Sequence, residues 1–200
     1  MNLQNPLNWY NWSLYNDRFV VEKMYSEKFR AYHDINHICK LWTYYLEVGQ
    51  NRDIYIDNKT ATAIIFHDVV YNPKSKTNEI DSADFMLKTL FLNNKNDVYD
   101  AIVATANHFD TCHDDAPFWV RQFLDLDLYE LGSDWSIFDK NDKLIFKEYA
   151  PFYSLKNIIE GRLSFFKGIS DKRIFRVFTE REDQAHKNIE QSIFDLERLI

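Results

Sequence analysis

The chain has 200 residues, 46% apolar and 16% aromatic, which supports one sizeable core and excludes a disordered chain. Its 24 Lys and Arg against 31 Asp and Glu give −7 with no basic run, which argues against duplex nucleic acid as a partner. Four Gly and four Pro are too few for a turn-rich β fold, so the expectation is an all-α protein in one domain over residues 1–200.

In chain order, Met1 to Pro6 lacks a basic segment followed by an apolar stretch, as a secretory signal would need. From Asp34, apolar residues fall at Ile35, Ile38, Leu41, Trp42, Tyr45 and Leu46, and Gly49 is expected to stop that helix. A second helix is predicted from Asn58 to Tyr71, ahead of Pro73. Thr77 is placed as the N-cap of a third, with Ile80, Ala83, Leu87, Leu90 and Phe91 on its apolar face. Asn96 or Asp97 starts the next, through Val98, Ala101, Ile102 and Thr105. Asp114 or Asp115 is expected to cap another, with Pro117 in its first turn, Val120, Phe123, Leu124, Leu128 and Leu131 inward, and Gly132 ending it.

Beyond it, Trp135, Ile137, Phe138, Leu144, Phe146 and Tyr149 fit one or two short helices, and residues 153–168 fit another. Little chemistry shows there apart from Arg162 and Lys167. Ala185, Ile189, Ile193, Leu196 and Ile200 read as a last amphipathic helix. Cys39 and Cys112 form no disulfide framework, and no segment reaches the ~20 apolar residues of a membrane span. A cytoplasmic protein with no membrane partner is expected, its oligomeric state left open.

Three features carry chemistry. In Tyr32-His33-Asp34-Ile35-Asn36-His37 a spacing of four puts His33 and His37 on one helix face. That suits two metal ligands, or one ligand beside a proton donor, though a surface histidine pair reads the same way. His67-Asp68 is read as lying inside an apolar helix, where a buried carboxylate is costly unless paired or coordinating a metal. In Phe123-Leu124-Asp125-Leu126-Asp127-Leu128 the two acids point about 200° apart. Periodicity puts Asp127 on the apolar face, and Asp125 with Gln122 and Tyr129 on the more polar side.

The ordered set of His37, His67-Asp68 and Asp127 resembles the HD metal-dependent phosphohydrolase superfamily. Further matching pieces are Arg30-Ala31-Tyr32-His33, Phe66-His67-Asp68-Val69-Val70-Tyr71, Asn78-Glu79-x-x-Ser82-Ala83, Ala104-Thr105-x-x-His108 and Phe123 to Leu128. They are similar to a bacterial and phage-type group of that superfamily, and the Tyr32-to-His37 segment also resembles its cyclic-nucleotide phosphodiesterase branch. The resemblance covers about residues 28–132, the expected metal-site core. A fainter match at Gly161-Arg162 and Glu182-x-x-Ala185-x-x-Asn188 extends into the C-terminal helices, about 133–200.

This resemblance implies an HD-type helical bundle in which His37, His67, Asp68 and Asp127 bind a divalent metal (Mn, Fe, Ni, Co, Zn or Mg). It implies a phosphohydrolase with a metal-activated water as nucleophile, acting on a nucleotide or other small phosphate ester. His33 would be the proton donor, with Glu79 handling the water and Asp68 serving both the metal and the catalytic set. Arg30, Asn78 and His108 would bind the substrate. Tyr71 stands where the phosphodiesterases carry a further His, which favours one metal over a fixed pair and argues against a di-iron oxygenase. Val70-Tyr71-Asn72 replaces the acidic pair of enzymes that degrade guanosine tetraphosphate. The rival reading is a non-catalytic HD-fold nucleotide-binding sensor.

Overall fold

A computed structural model describes residues 4–12, 15–52, 57–90 and 95–200. Among them are ten α-helices and no strand: α1 Pro6–Trp9, α2 Tyr15–Tyr25, α3 Ile35–Arg52, α4 Asn58–Phe66, α5 Asn78–Thr89, α6 Lys95–Ala104, α7 Phe118–Asp127, α8 Trp135–Tyr149, α9 Leu155–Ile169 and α10 Glu182–Glu197. Buried apolar side chains from every one of these helices join one contiguous core, from Leu7 to Leu196.

The centre of the bundle is α4. Every residue from Thr60 to Phe66 is buried, so the helix is covered all round, by α1, α3, α5, α6 and α7. It begins at Asp57, whose carboxylate accepts from the Lys59 N–H. It also ends sooner than the predicted Tyr71: Phe66 is its last residue and His67 its cap. The backbone groups that would continue it are taken by side chains from elsewhere. Arg30 donates to the carbonyls of Asp68 and Val69, and the Ser82 hydroxyl both accepts from the Val70 N–H and donates to the Val70 carbonyl. His67 and Asp68 therefore sit at a helix end and in the turn after it, not inside a helix.

Other boundaries also differ. Gly49 does not stop α3, which runs to Arg52; a helical glycine costs only about 1 kcal/mol against alanine. Thr77 occupies the N-cap of α5, but its hydroxyl donates to Asp81 instead of capping a backbone N–H. Ile80 is exposed, Met86 fills the core beside Ala83, and Phe91 lies outside the described residues. Neither Asp114 nor Asp115 caps α7. Pro117 precedes it, and Asp114 pairs with Arg176 instead. After Asp127 the chain tightens into a 3-10 turn, Tyr129–Gly132, so Leu131 lies beyond α7. At Gly132 a Cβ would come within 2.7 Å of the Arg181 Cβ and 2.8 Å of its carbonyl oxygen, so only glycine fits. The weakly marked stretch after it resolves into one helix, α8, and then α9, whose N-cap Ser154 accepts from the Asn157 N–H.

Candidate metal centre

Four side chains converge where α3, α4 and α7 meet. His37 comes from the first turn of α3, His67 caps α4, Asp68 follows it, and Asp127 is the last residue of α7. One ligand atom from each lies within 4.8 Å of all the others. His67 Nε2 is 3.1 Å from Asp68 Oδ2, 3.3 Å from Asp127 Oδ1 and 3.3 Å from His37 Nε2. His37 Nε2 is 3.1 Å from Asp127 Oδ1 and 3.7 Å from Asp68 Oδ2. Donors about 2.0–2.2 Å from one ion lie about 3–4 Å from each other, so these separations suit a shared cation.

The donor chemistry fits as well. His67 Nδ1 is 3.1 Å from the Ile64 carbonyl, so Nδ1–H donates there and the Nε2 lone pair is left to the cluster. Two imidazole nitrogens and two carboxylates then face one point, a mixed N/O set suited to a divalent ion. The field is strongly negative. Burial pulls the His67 pKa down, but Asp68 and Asp127 outweigh it and raise it well above the ordinary value. Burial likewise pushes Asp127 up, yet His67 and the hydrogen bonds from His108 and His37 hold it well below the carboxylate range. The group His37, His67, Asp68 and Asp127 could hold a metal ion.

Around this cluster, each remaining candidate has a definite place. His108 Nε2 is 2.9 Å from Asp127 Oδ2, so one oxygen of Asp127 meets His108 and the other meets the two imidazoles. Arg30, expected at the substrate, has no exposed side-chain surface; its guanidinium donates to the carbonyls of His33, Asp68 and Val69 and pairs with Glu27. It is a strut that joins the His33 loop to the turn carrying Asp68. Asn78, also expected at the substrate, pins its own neighbourhood, accepting from the Asn72 N–H and donating to the Asn72 carbonyl. Glu79, in the first turn of α5, belongs neither to the four converging groups nor to the lining of the cavity beside them.

That cavity, about 320 Å³, is lined by His33, His108, Asp127, Tyr149 and Arg162 among others. His33 reaches it already oriented. Its Nδ1 lies 2.5 Å from Glu148 Oε1, and Tyr71 stacks on its ring at 4.4 Å, which leaves Nε2 as the nitrogen for chemistry. Burial lowers the His33 pKa, but Asp68 and the Glu148 hydrogen bond more than reverse this, so the net shift is upward. The other Glu148 oxygen accepts from the N–H groups of Ala31, Tyr32 and His33, fixing the loop as well as the ring.

Sequence reasoning missed Glu148. The available signal was register: Phe138, Asn141, Ile145 and Glu148 follow one stripe of α8, and Glu148 is an acid on that inward stripe. Asp125, placed on a polar face, is fully buried; its Oδ2 accepts from the N–H groups of Arg176, Val177 and Phe178, while Gln122 is buried too. Arg176 in turn donates to the His108 carbonyl. Asp125 thus supports the back of the site, and Asp127 supplies its front.

The Glu148 carboxylate carries a pH signature. Burial would raise its pKa, but the His33 contact and the Tyr32 and His33 N–H groups hold it at about 2, against 4.5 for a free side chain. A depressed acid stabilises the fold above its unfolded pKa, and loses that contribution as pH falls towards the folded one. Glu148→Gln is expected to destabilise at pH 7 by about 3 kcal/mol. The gap to wild type should close between pH 4.5 and about 2. Thermal melts of both proteins across that range check this, and a gap independent of pH would contradict it.

No family model, curated protein or solved structure matches this chain.

Proposed function

We propose that this protein is a metal-dependent phosphohydrolase of HD type, acting on a nucleotide or another small phosphate ester. The observation that carries the reading is the convergence of His37, His67, Asp68 and Asp127 beside a cavity lined by Asp127 of that set and by an oriented histidine, His33. A divalent ion held by those four residues would lower the pKa of a water and offset the charge of phosphate oxygens. This suits a chain of net charge −7, whose own surface would repel a phosphate ester.

The chain's residues divide the remaining work. Glu148 holds Nδ1–H of His33, so Nε2–H can be given to the leaving oxygen as the ester bond breaks. His108 keeps one oxygen of Asp127 engaged, so the other stays aimed at the imidazoles. Arg30 and Ser82 hold the turn that presents Asp68. At about 320 Å³ the cavity lies at the small end of ligand sites, consistent with a single nucleoside-sized group.

The test is a screen of nucleotides and phosphomonoesters against metal-free protein reloaded with Mn, Co, Ni, Zn or Mg. A rise in Tm with at least one metal, together with phosphate release that needs that metal, is expected. Metal and nucleotide binding with no release from any ester would favour the sensor reading. Unchanged Tm with every metal would remove the basis for both.

A further inference from the structure

Among its described lining residues, the cavity beside the His/Asp cluster holds one permanent cation, Arg162 of α9. Its guanidinium lies over two rings, 4.5 Å from the Phe166 centroid and 5.0 Å from that of Phe165, which fix its plane. Both of its hydrogen bonds, from Nε and Nη2, go to one oxygen of Asp142. A guanidinium carries five N–H donors in a fork that matches two phosphate oxygens at once. Here Nη1 makes no hydrogen bond to a described residue and is not sealed from solvent, in a side chain that keeps 15% of its surface exposed. The other acids on the cavity wall already have partners. Glu130 is held by Lys40 and Tyr44, and Asp127 by histidines.

We propose that Arg162 is the anion-binding residue of this cavity and takes phosphate oxygens of the substrate through its Nη1 and Nη2 donors. This rests on the phosphohydrolase reading and narrows it: the substrate meets a fixed guanidinium as well as the His/Asp cluster. The anion has two sources, the reacting phosphoryl group or a second phosphate on the leaving side. Asp142 competes for the same guanidinium, so it sets how tightly the anion is held.

Calorimetric titration of inorganic phosphate and of pyrophosphate into the metal-loaded protein tests this, with Tm and metal content as controls. Arg162→Met is expected to weaken binding by about 10–100-fold, the worth of a hydrogen bond to a charged group. An equal loss for both ions assigns Arg162 to the reacting phosphoryl group, and a loss confined to pyrophosphate assigns it to a second phosphate. Asp142→Asn should tighten binding a few-fold, because it removes the competing charge. Wild-type affinity for both ions in a folded Arg162→Met protein would overturn the proposal, as would a wild type that binds neither. Should Arg162→Met fail to fold, Asp142→Asn decides alone, and unchanged or weaker binding overturns it. Failure of the phosphohydrolase reading looks different: Arg162-dependent binding of these ions with no phosphate released from any ester.

Discussion

Asp68→Ala is expected to remove metal and turnover together. The Asp68 carboxylate lies 3.1 Å from His67 Nε2 and 3.7 Å from His37 Nε2, so it closes the ligand set from the side of the α4 turn. Among the described residues nothing near it can substitute, since Asp127 already divides its oxygens between His108 and the two imidazoles. The substitution should also be clean. Arg30 grips the carbonyl of residue 68, not its side chain, so the turn keeps its shape when the carboxylate is lost. A metal that binds only the folded protein raises Tm according to its concentration over its Kd. Wild type should show that rise, and Asp68→Ala should not, even at a hundredfold excess over the wild-type Kd. An Asp68→Ala protein with full metal occupancy and full turnover would show that the four residues do not act as one ligand set.

Much of this arrangement was legible in the chain, and what was not has physical causes. Periodicity works where a helix has one wet face and one dry one. Hence Ile38, Leu41, Trp42 and Tyr45 of α3 lie in the core as their spacing predicts, with His37 beside them. It fails where both faces are covered. Asp125 and Asp127 point to opposite sides of α7, and the polar-side expectation for Asp125 assumed solvent there. The segment 176–178 covers that side instead and brings three N–H donors that make a buried carboxylate tolerable. The end of α4 was invisible for a related reason. Nothing in Phe66 to Tyr71 breaks a helix; Arg30 and Ser82, distant in sequence, capture its backbone. Glu148 was missed because its partners lie 115 to 117 residues away, and a charge late in a helix reads locally as a solvated one.

The variant that separates chemistry from binding most sharply is His33→Ala. His33 lies on the cavity wall and outside the set of four convergent ligand atoms, so metal content should stay at the wild-type level. Turnover should fall by about 10²–10⁴, the usual worth of a positioned proton transfer. The loss should shrink for a nitrophenyl ester, whose leaving group needs little protonation, and be largest for an alkyl ester. Glu148 would then hold three backbone N–H groups without its ring partner, so some loss of stability is expected as well. That loss cannot mimic the result, because a destabilised protein loses activity towards both esters alike. If His33 were a ligand, metal would leave with the imidazole and the two rate ratios would be equal. If it were only a packing residue beneath Tyr71, neither ratio would change once folding was accounted for. Metal occupancy and two rate ratios from one mutant thus distinguish acid, ligand and spacer, and the Nδ1 contact to Glu148 is the reason to expect the first.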